Sequence, residues 1–208
     1  MSLQDDIAAL EEQLATMMPP EMGDTIENVI SGLKDANYAQ KGPQVGASVE
    51  DFSLPNIYKG KKVGDTIPDF TLLSHLGEEV SLSELLKNGP VVINFYRGGW
   101  CPYCNLELKA LQRLLPEIEG LNGQLVAISL DKPDLSVETA ATNSLNYLVL
   151  SDIDAKVATQ FGILFDVPDS YQQILTGFEV SLEERNTTKK AELVIPATYI
   201  IDTQSVVR

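Results

Sequence analysis

The chain has 208 residues, 44% of them hydrophobic, and a formal net charge of -15 at pH 7. This length and apolar content suffice for one domain with a buried core plus an appendage. The negative charge argues against nucleic acid or an anionic membrane surface as a partner, because their phosphates would repel it. No stretch approaches the apolar length of a membrane span. The first basic residue is Lys34, so the N-terminus lacks the positive region of a signal peptide, and we expect the protein to be cytoplasmic.

Residues 1–44 predict a helical arm. Residues 2–18 place apolar side chains on one face at helical spacing, and Pro19–Pro20 ends the pattern. Asp24 is a suitable cap for a second helix. The resulting hairpin is a dimerisation element of a homodimer, a lid, or an arm packed on its own domain.

A short internal repeat follows the arm. Val45–Leu54 matches Val63–Leu72 in its apolar positions and in its Val-Gly and Asp-Phe pairs. The two copies could compete for one edge of a sheet, or the first could be a spare strand ahead of the domain. We assign residues 45–208 to an α/β domain whose regular part begins with the second copy.

Both cysteines lie at a predicted strand-to-helix turn. Pro90–Tyr96 is a nearly continuous run of apolar and β-branched residues, which is typical of a strand buried on both faces of a parallel sheet. Beyond Cys101 and Cys104, leucines recur at helical spacing as far as Gly120, a plausible stop. Pro102 suits the first helical turn.

This placement gives the two thiols different expected roles. A thiol at a helix N-terminus faces unpaired backbone N–H groups and the positive end of the helix dipole, which favour the thiolate. Cys101 is therefore the candidate nucleophile. Cys104 lies about one turn further along the same face, close enough to act as a resolving thiol and close a disulfide.

Structural uses of the pair are the alternatives: a static disulfide, half of a metal site, or two buried core thiols. The chain has no other cysteine, and His75 is its only histidine. One chain therefore cannot complete a tetrahedral zinc site from cysteine and histidine alone, and we predict neither a metal nor an organic cofactor.

The remaining sequence predicts further sheet and helix elements. Gln124–Leu130 is the next buried strand and completes a right-handed βαβ unit. The segment from Leu130 to Pro133 then lies on the same sheet edge as Cys101, where open α/β sheets bind ligands. Residues 163–193 carry mixed signals and predict an insertion that faces solvent. The other predicted elements are a helix at 136–144, a strand at 147–151, helices at 155–161 and 168–176, and a strand at 193–201.

Four segments carry a family resemblance: Val63–Leu72, Val80–Leu85, Phe95–Trp100 and Pro196–Asp202. They resemble the AhpC/TSA branch of the thioredoxin superfamily, the peroxiredoxin-like proteins, over roughly residues 63–208. The Cys-Pro-Tyr-Cys sequence is also similar to the glutaredoxin motif, and a tryptophan before the first cysteine resembles thioredoxin. The resemblance implies a thioredoxin-like α/β fold, with a central mixed sheet flanked by helices. A terminal helix would follow the last strand in thioredoxin, so either the sequence ends before it or another element covers that face.

The resemblance implies a thiol-based oxidoreductase. Cys101 would attack a peroxide oxygen or a disulfide sulfur, and Cys104 would then close the intramolecular disulfide. An external thiol reductant, a thioredoxin or glutathione system, would reset the pair. The segments that resemble the AhpC/TSA family favour peroxide reduction, whereas the Cys-Pro-Tyr-Cys motif favours disulfide exchange. A third hypothesis is a non-catalytic redox sensor whose arm reports the state of the cysteines to a partner.

Further site candidates follow from the same resemblance. Trp100 precedes Cys101 and Tyr103 lies between the two cysteines, so both are candidates for binding substrate or activating the thiols. In thioredoxin-like proteins the proline that opens the last strand is cis and faces the cysteine pair, which implies that Pro196 is cis and leaves the backbone of Ile195 free to bind substrate. The alternative is an ordinary proline at a strand start.

The peroxide-binding residues of peroxiredoxins are not reproduced. A Thr or Ser usually stands three residues before the reactive cysteine and an Arg near the late strand, but this chain has Gly98 and Pro196 there. Arg97 is the candidate that could supply a cation near Cys101 by another route. The alternative for Arg97 is a solvated loop arginine.

Overall fold

A computed structural model of the chain describes residues 3–17 and 60–208. The chain divides into two compact units, Met1–Ile57 and Tyr58–Arg208. The first unit contains α1, Leu3–Met17, which confirms the first predicted helix. The second helix of the arm, its boundary at residue 44 and the first copy of the repeat lie outside the described residues.

The second unit is a mixed sheet flanked by helices, as predicted. Its elements are β1 Thr71–Ser74, β2 Glu79–Ser81, α2 Leu82–Leu86, β3 Val91–Phe95, α3 Pro102–Gly120, β4 Gln124–Ser129, α4 Pro133–Thr142, β5 Leu148–Ser151, α5 Lys156–Phe161, β6 Leu164–Asp166, α6 Asp169–Gly177, α7 Leu182–Arg185, β7 Glu192–Val194 and β8 Ala197–Ile201. None of the helices within the described ranges is long and apolar enough to cross a membrane.

The sheet places β3 in its interior. The strand order is β2-β1-β5-β4-β3-β8, and β6 and β7 form a separate two-stranded sheet. The strands β3, β4 and β5 run parallel, with α3 and α4 as their crossovers, while β1, β2 and β8 pair antiparallel with their neighbours. The carboxyl ends of the parallel strands therefore meet at one edge, and the loop after β3 lies there.

The side chains of β3 pack on both faces of the sheet. Ile93 and Phe95 belong to one hydrophobic cluster, in which the Phe95 ring packs at a tilt against Phe161 of α5, with ring centroids 4.8 Å apart. Val92 packs against a second cluster that holds both cysteines and Tyr147. This alternation is what the apolar run predicts for a strand buried on both faces.

The prediction of a solvent-facing insertion at residues 163–193 is wrong. The predicted helix is present as α6, but four buried side chains form a third cluster in this segment: Val167, Leu175, Leu182 and Leu193. Trp100 packs against that cluster. The segment therefore covers part of the cysteine loop. The sequence does not predict this packing, because the apolar residues of the segment occur only in short stretches between polar runs.

The predicted strand at 193–201 is two strands. β7 pairs with β6 in the small sheet, whereas β8 pairs with β3 in the large one. Ile195 and Pro196 separate them. A proline has no N–H to donate to a ladder, so it suits the point where the chain changes sheets.

Candidate active site

The helix start positions Cys101. Cys101 is the N-cap of α3 with an extended backbone, and Pro102 occupies the first turn. The Cys101 N–H donates to the Gly98 carbonyl at 3.1 Å, and Asn105 N–H donates to the Cys101 carbonyl at 3.0 Å. The Cys101 side chain makes no capping hydrogen bond, but the thiol lies at the helix N-terminus, beside the backbone N–H groups of the first turn.

The two thiols have opposite protonation preferences. A hydrogen bond from the Cys104 thiol is the largest influence on Cys101 and, with backbone N–H groups and Arg97, lowers the pKa of Cys101 to about 6 against the effect of burial. The same hydrogen bond, together with burial, raises the pKa of Cys104. Both are free thiols, with exposed fractions of 2% and 3%. The proton thus resides on Cys104 and the negative charge on Cys101.

Arg97 is not a solvated loop arginine. Its side chain is half-buried, and Nη1 donates to the Tyr171 hydroxyl at 2.9 Å. The guanidinium carbon lies 6.0 Å from the centroid of the Trp100 ring, within the range of a cation–π contact. Burial opposes its charge, but the interactions with Cys101, Tyr171 and Cys104 raise the pKa of Arg97 overall. The structure thus brings this cation to the cysteine pair.

Two glycines let the loop pass close to its neighbours. Gly98 has φ +146°, and a Cβ there would lie 2.5 Å from Trp100 Nε1. A Cβ at Gly99 would lie 2.1 Å from the Thr139 hydroxyl oxygen. Side chains at either position would therefore push the loop away from α4 or displace the tryptophan.

A buried ion pair fastens the same loop from the next strand end. Asp131 is 1% exposed and accepts a hydrogen bond from Gly99 N–H at 2.9 Å. Arg185 of α7 donates to both of its carboxylate oxygens, at 3.1 and 3.2 Å. The segment after β4 therefore meets the cysteine loop at one sheet edge, as predicted from the strand order.

The remaining predicted site residues are Tyr103, Ile195 and Pro196. Tyr103 is 41% exposed, beside the buried thiols in sequence. Pro196 is exposed at the start of β8, and Ile195 N–H donates to the Ile163 carbonyl at 2.9 Å. The predicted cis bond before Pro196 is wrong, because residues 60–208 contain no cis peptide bond. Substrate binding by Ile195 and Pro196 remains a prediction.

Sequence reasoning missed Tyr171 and Arg185 as residues of the site, and it placed Asp131 there only as part of the segment at the same sheet edge. Tyr171 lies 74 positions from the arginine that it binds, and Arg185 lies 54 positions from Asp131. Neither pair has a spacing signal, because the packing of α6 and α7 against the loop creates both contacts.

The family model of the AhpC/TSA family matches residues 63–208. The chain belongs to the AhpC/TSA family. This finding confirms the resemblance seen in the sequence.

Individual AhpC/TSA relatives agree with this assignment. The chain is 32% identical over 102 residues to peroxiredoxin Bcp of Escherichia coli K12, a match covering 49% of this chain and 65% of that protein. Its sequence is 30% identical to that of peroxidoxin BcpB from Mycobacterium tuberculosis. The two structures match with a TM-score of 0.58 over 70% of this chain and 82% of that one. PrxQ of Xylella fastidiosa shares the fold, with 19% identity and a TM-score of 0.56 over 70% and 82% of the two chains. The chain spans slightly less than two thirds of the length of Bcp.

The lowered pKa of Cys101 predicts a specific pH profile for thiol alkylation. Because only the thiolate attacks, the iodoacetamide rate should rise with pH to a midpoint near 6 and then level off. An unperturbed thiol would still be accelerating at its pKa of about 8.5. Cys104→Ala should move the midpoint upward, because it removes the hydrogen bond with the largest influence. A wild-type midpoint at the unperturbed value would contradict the acidified thiolate.

Proposed function

We propose that this protein is a thiol-dependent peroxidase in which Cys101 attacks the peroxide and Cys104 resolves the oxidised product. The observation that carries the proposal is the acidified Cys101 sulfur at the start of α3, beside the Arg97 guanidinium. Membership of the AhpC/TSA family and the similarity to Bcp and BcpB support it. No organic cofactor takes part in the chemistry that follows.

The proposed cycle balances with thiols alone. The Cys101 thiolate attacks one peroxide oxygen, the O–O bond breaks, and the leaving alkoxide takes a proton to give an alcohol, or water from hydrogen peroxide. Cys101 is then a sulfenic acid. The Cys104 thiol attacks its sulfur, a disulfide forms and water leaves. An external thiol reductant, a thioredoxin or glutathione system in a reducing cytoplasm, returns two electrons and two protons.

The geometry favours a small peroxide over a protein disulfide. Exchange requires the attacking sulfur to approach in line with both substrate sulfurs, and Cys101 is only 2% exposed. Hydrogen peroxide is close to water in size, so it reaches the Cys101 sulfur through a much smaller opening than a protein disulfide requires. The exposed trans Pro196 also lacks the arrangement that the thioredoxin resemblance implied for disulfide substrates.

The deciding experiment is stopped-flow oxidation of the reduced protein by hydrogen peroxide, beside reduction of insulin disulfides. We expect the peroxide reaction to be much faster, and a sulfenic-acid trap to label Cys101 when Cys104 is replaced. Faster insulin reduction would replace the proposal with disulfide exchange. Oxidation without turnover in either assay would instead favour a redox sensor.

Arg97→Met tests the role of the cation. Oxygen bears the developing charge when the O–O bond breaks, so losing this donor should slow peroxide reduction by about 10²-fold. Disulfide exchange places its charge on sulfur and should lose less. A rise in the pKa of Cys101 would slow both reactions alike, so the ratio of the two losses is the observable, with the alkylation midpoint measured alongside. Equal losses would restrict Arg97 to tuning that pKa.

A further inference from the structure

Tyr171 contacts the cysteine site from outside the thioredoxin-like sheet. It lies in the first turn of α6, where its N–H donates to the Pro168 carbonyl at 2.9 Å. Its ring packs against the third hydrophobic cluster, which Trp100 also contacts. Its hydroxyl accepts a hydrogen bond from Arg97 Nη1 at 2.9 Å. Both the ring and the hydroxyl are thus held in place.

The Arg97 guanidinium needs such a partner. Its Nε is buried and has no hydrogen-bond partner among the described residues. An arginine side chain carries about 2 kcal/mol of rotamer entropy, so without fixed contacts it would swing towards water and leave the thiols. The Arg97 guanidinium carbon lies 6.0 Å from the centroid of the Trp100 ring, but a cation–π contact does not fix the rotation of the planar guanidinium. The directional bond to Tyr171 does.

We propose that Tyr171 is the positioning residue of the site, and that its hydroxyl holds the Arg97 guanidinium beside the cysteine pair. The Tyr171 hydroxyl binds Arg97 and takes no part in bond breaking, so Tyr171 acts through Arg97. The segment from β6 to β7 thereby contributes to reactivity as well as to the cover over the loop. The inference deepens the proposed peroxidase function and rests on Cys101 as its reactive thiol, but the alkylation readout requires no peroxide.

Tyr171→Phe is the direct test, because it removes one oxygen and keeps the ring in its cluster. We expect an upward shift of the alkylation midpoint and a loss of about threefold to tenfold in the peroxide rate at the wild-type midpoint, the range expected when one hydrogen bond to a charged group is lost. Tyr199→Phe is the matched control. That ring packs against the first cluster, with Phe161 at 4.9 Å, and should leave both readouts unchanged.

A double-mutant cycle separates positioning from general destabilisation. If Tyr171 acts through Arg97, then Tyr171→Phe should have no further effect in the Arg97→Met background. Losses that multiply would overturn the proposal, as would a single variant with wild-type rates and midpoint. Urea unfolding of each variant sets conditions in which every protein is folded. Should Tyr171→Phe unfold too readily, Arg97→Lys provides the second measurement, because it keeps the charge but removes the planar guanidinium that donates to the Tyr171 hydroxyl. That variant should then show the upward midpoint shift and the slower peroxide rate, and wild-type values for both would overturn the proposal.

A failure of the peroxidase proposal would look different. The protein would then leave peroxide intact while Tyr171→Phe still moved the alkylation midpoint of Cys101. An unmoved midpoint together with intact peroxide turnover would instead overturn the positioning role alone.

Discussion

Cys101→Ser should abolish peroxide turnover completely, whereas Cys104→Ser should still consume one equivalent of peroxide per chain. The hydrogen bond from the Cys104 thiol, with neighbouring backbone N–H groups and Arg97, lowers the pKa of Cys101, whereas the same hydrogen bond and burial raise the pKa of Cys104. Since the thiolate is the attacking species, the two variants should fail at different steps.

Mass spectrometry after a single peroxide addition distinguishes the two failures. The Cys104→Ser protein should gain one oxygen or one trap molecule on Cys101, and the Cys101→Ser protein should gain neither. The hydroxyl of serine can still donate a hydrogen bond, so Cys104→Ala should be run beside it to show that trapping does not depend on that bond. Oxidation of Cys104 in the absence of Cys101 would reverse the assigned roles.

Asp131→Ala should destabilise the fold by about 3 kcal/mol, the lower end of the range for breaking a buried ion pair. The substitution leaves the Gly99 N–H without its acceptor and removes the counterion of Arg185. The lower end applies because the Arg185 side chain is 24% exposed and can turn partly to water. The alkylation rate of Cys101 should also fall, because the loop before it loses its attachment to the end of β4.

Urea unfolding measures this loss, and a surface ion pair supplies the control. Lys87 and Glu84 pair with exposed fractions of 66% and 68%, so Glu84→Gln should cost only about 0.5 kcal/mol or less. An Asp131→Ala loss no larger than the control would mean that the buried pair barely offsets its own desolvation.

The sequence predicted the candidate reactive thiol and its immediate surroundings because these depend on local structure. The apolar run of β3, the helical leucines of α3 and Pro102 are contiguous with the cysteines, so their order alone places Cys101 at a helix start. The first N–H groups of that helix belong to Tyr103 and Cys104, within three residues of Cys101. The family segments likewise lie in regular elements or directly beside them, and they predicted the mixed sheet.

Only the tertiary structure decided what surrounds that thiol. The partners Tyr171 and Arg97 are 74 positions apart, and Gly99 and Asp131 are 32 apart. Such pairs depend on how separate elements pack. Hydrophobic periodicity does not predict which residue a polar side chain in a short helix will contact. For this reason the sequence predicts a solvent-facing segment at 163–193, whereas the structure buries part of it.

Pro196 shows the same limit for an inference from family resemblance. The difference between cis and trans before a proline is only about 0.5–1 kcal/mol, so the surrounding packing chooses the isomer rather than the residue itself. Here β7 and β8 belong to different sheets. The peptide bond between Ile195 and Pro196 is trans, and Pro196 is exposed. The order of residues thus determined which cysteine lies at the start of a helix, with the second thiol about one turn further along. The packing of distant elements determined which side chains hold the cation and the loop beside it.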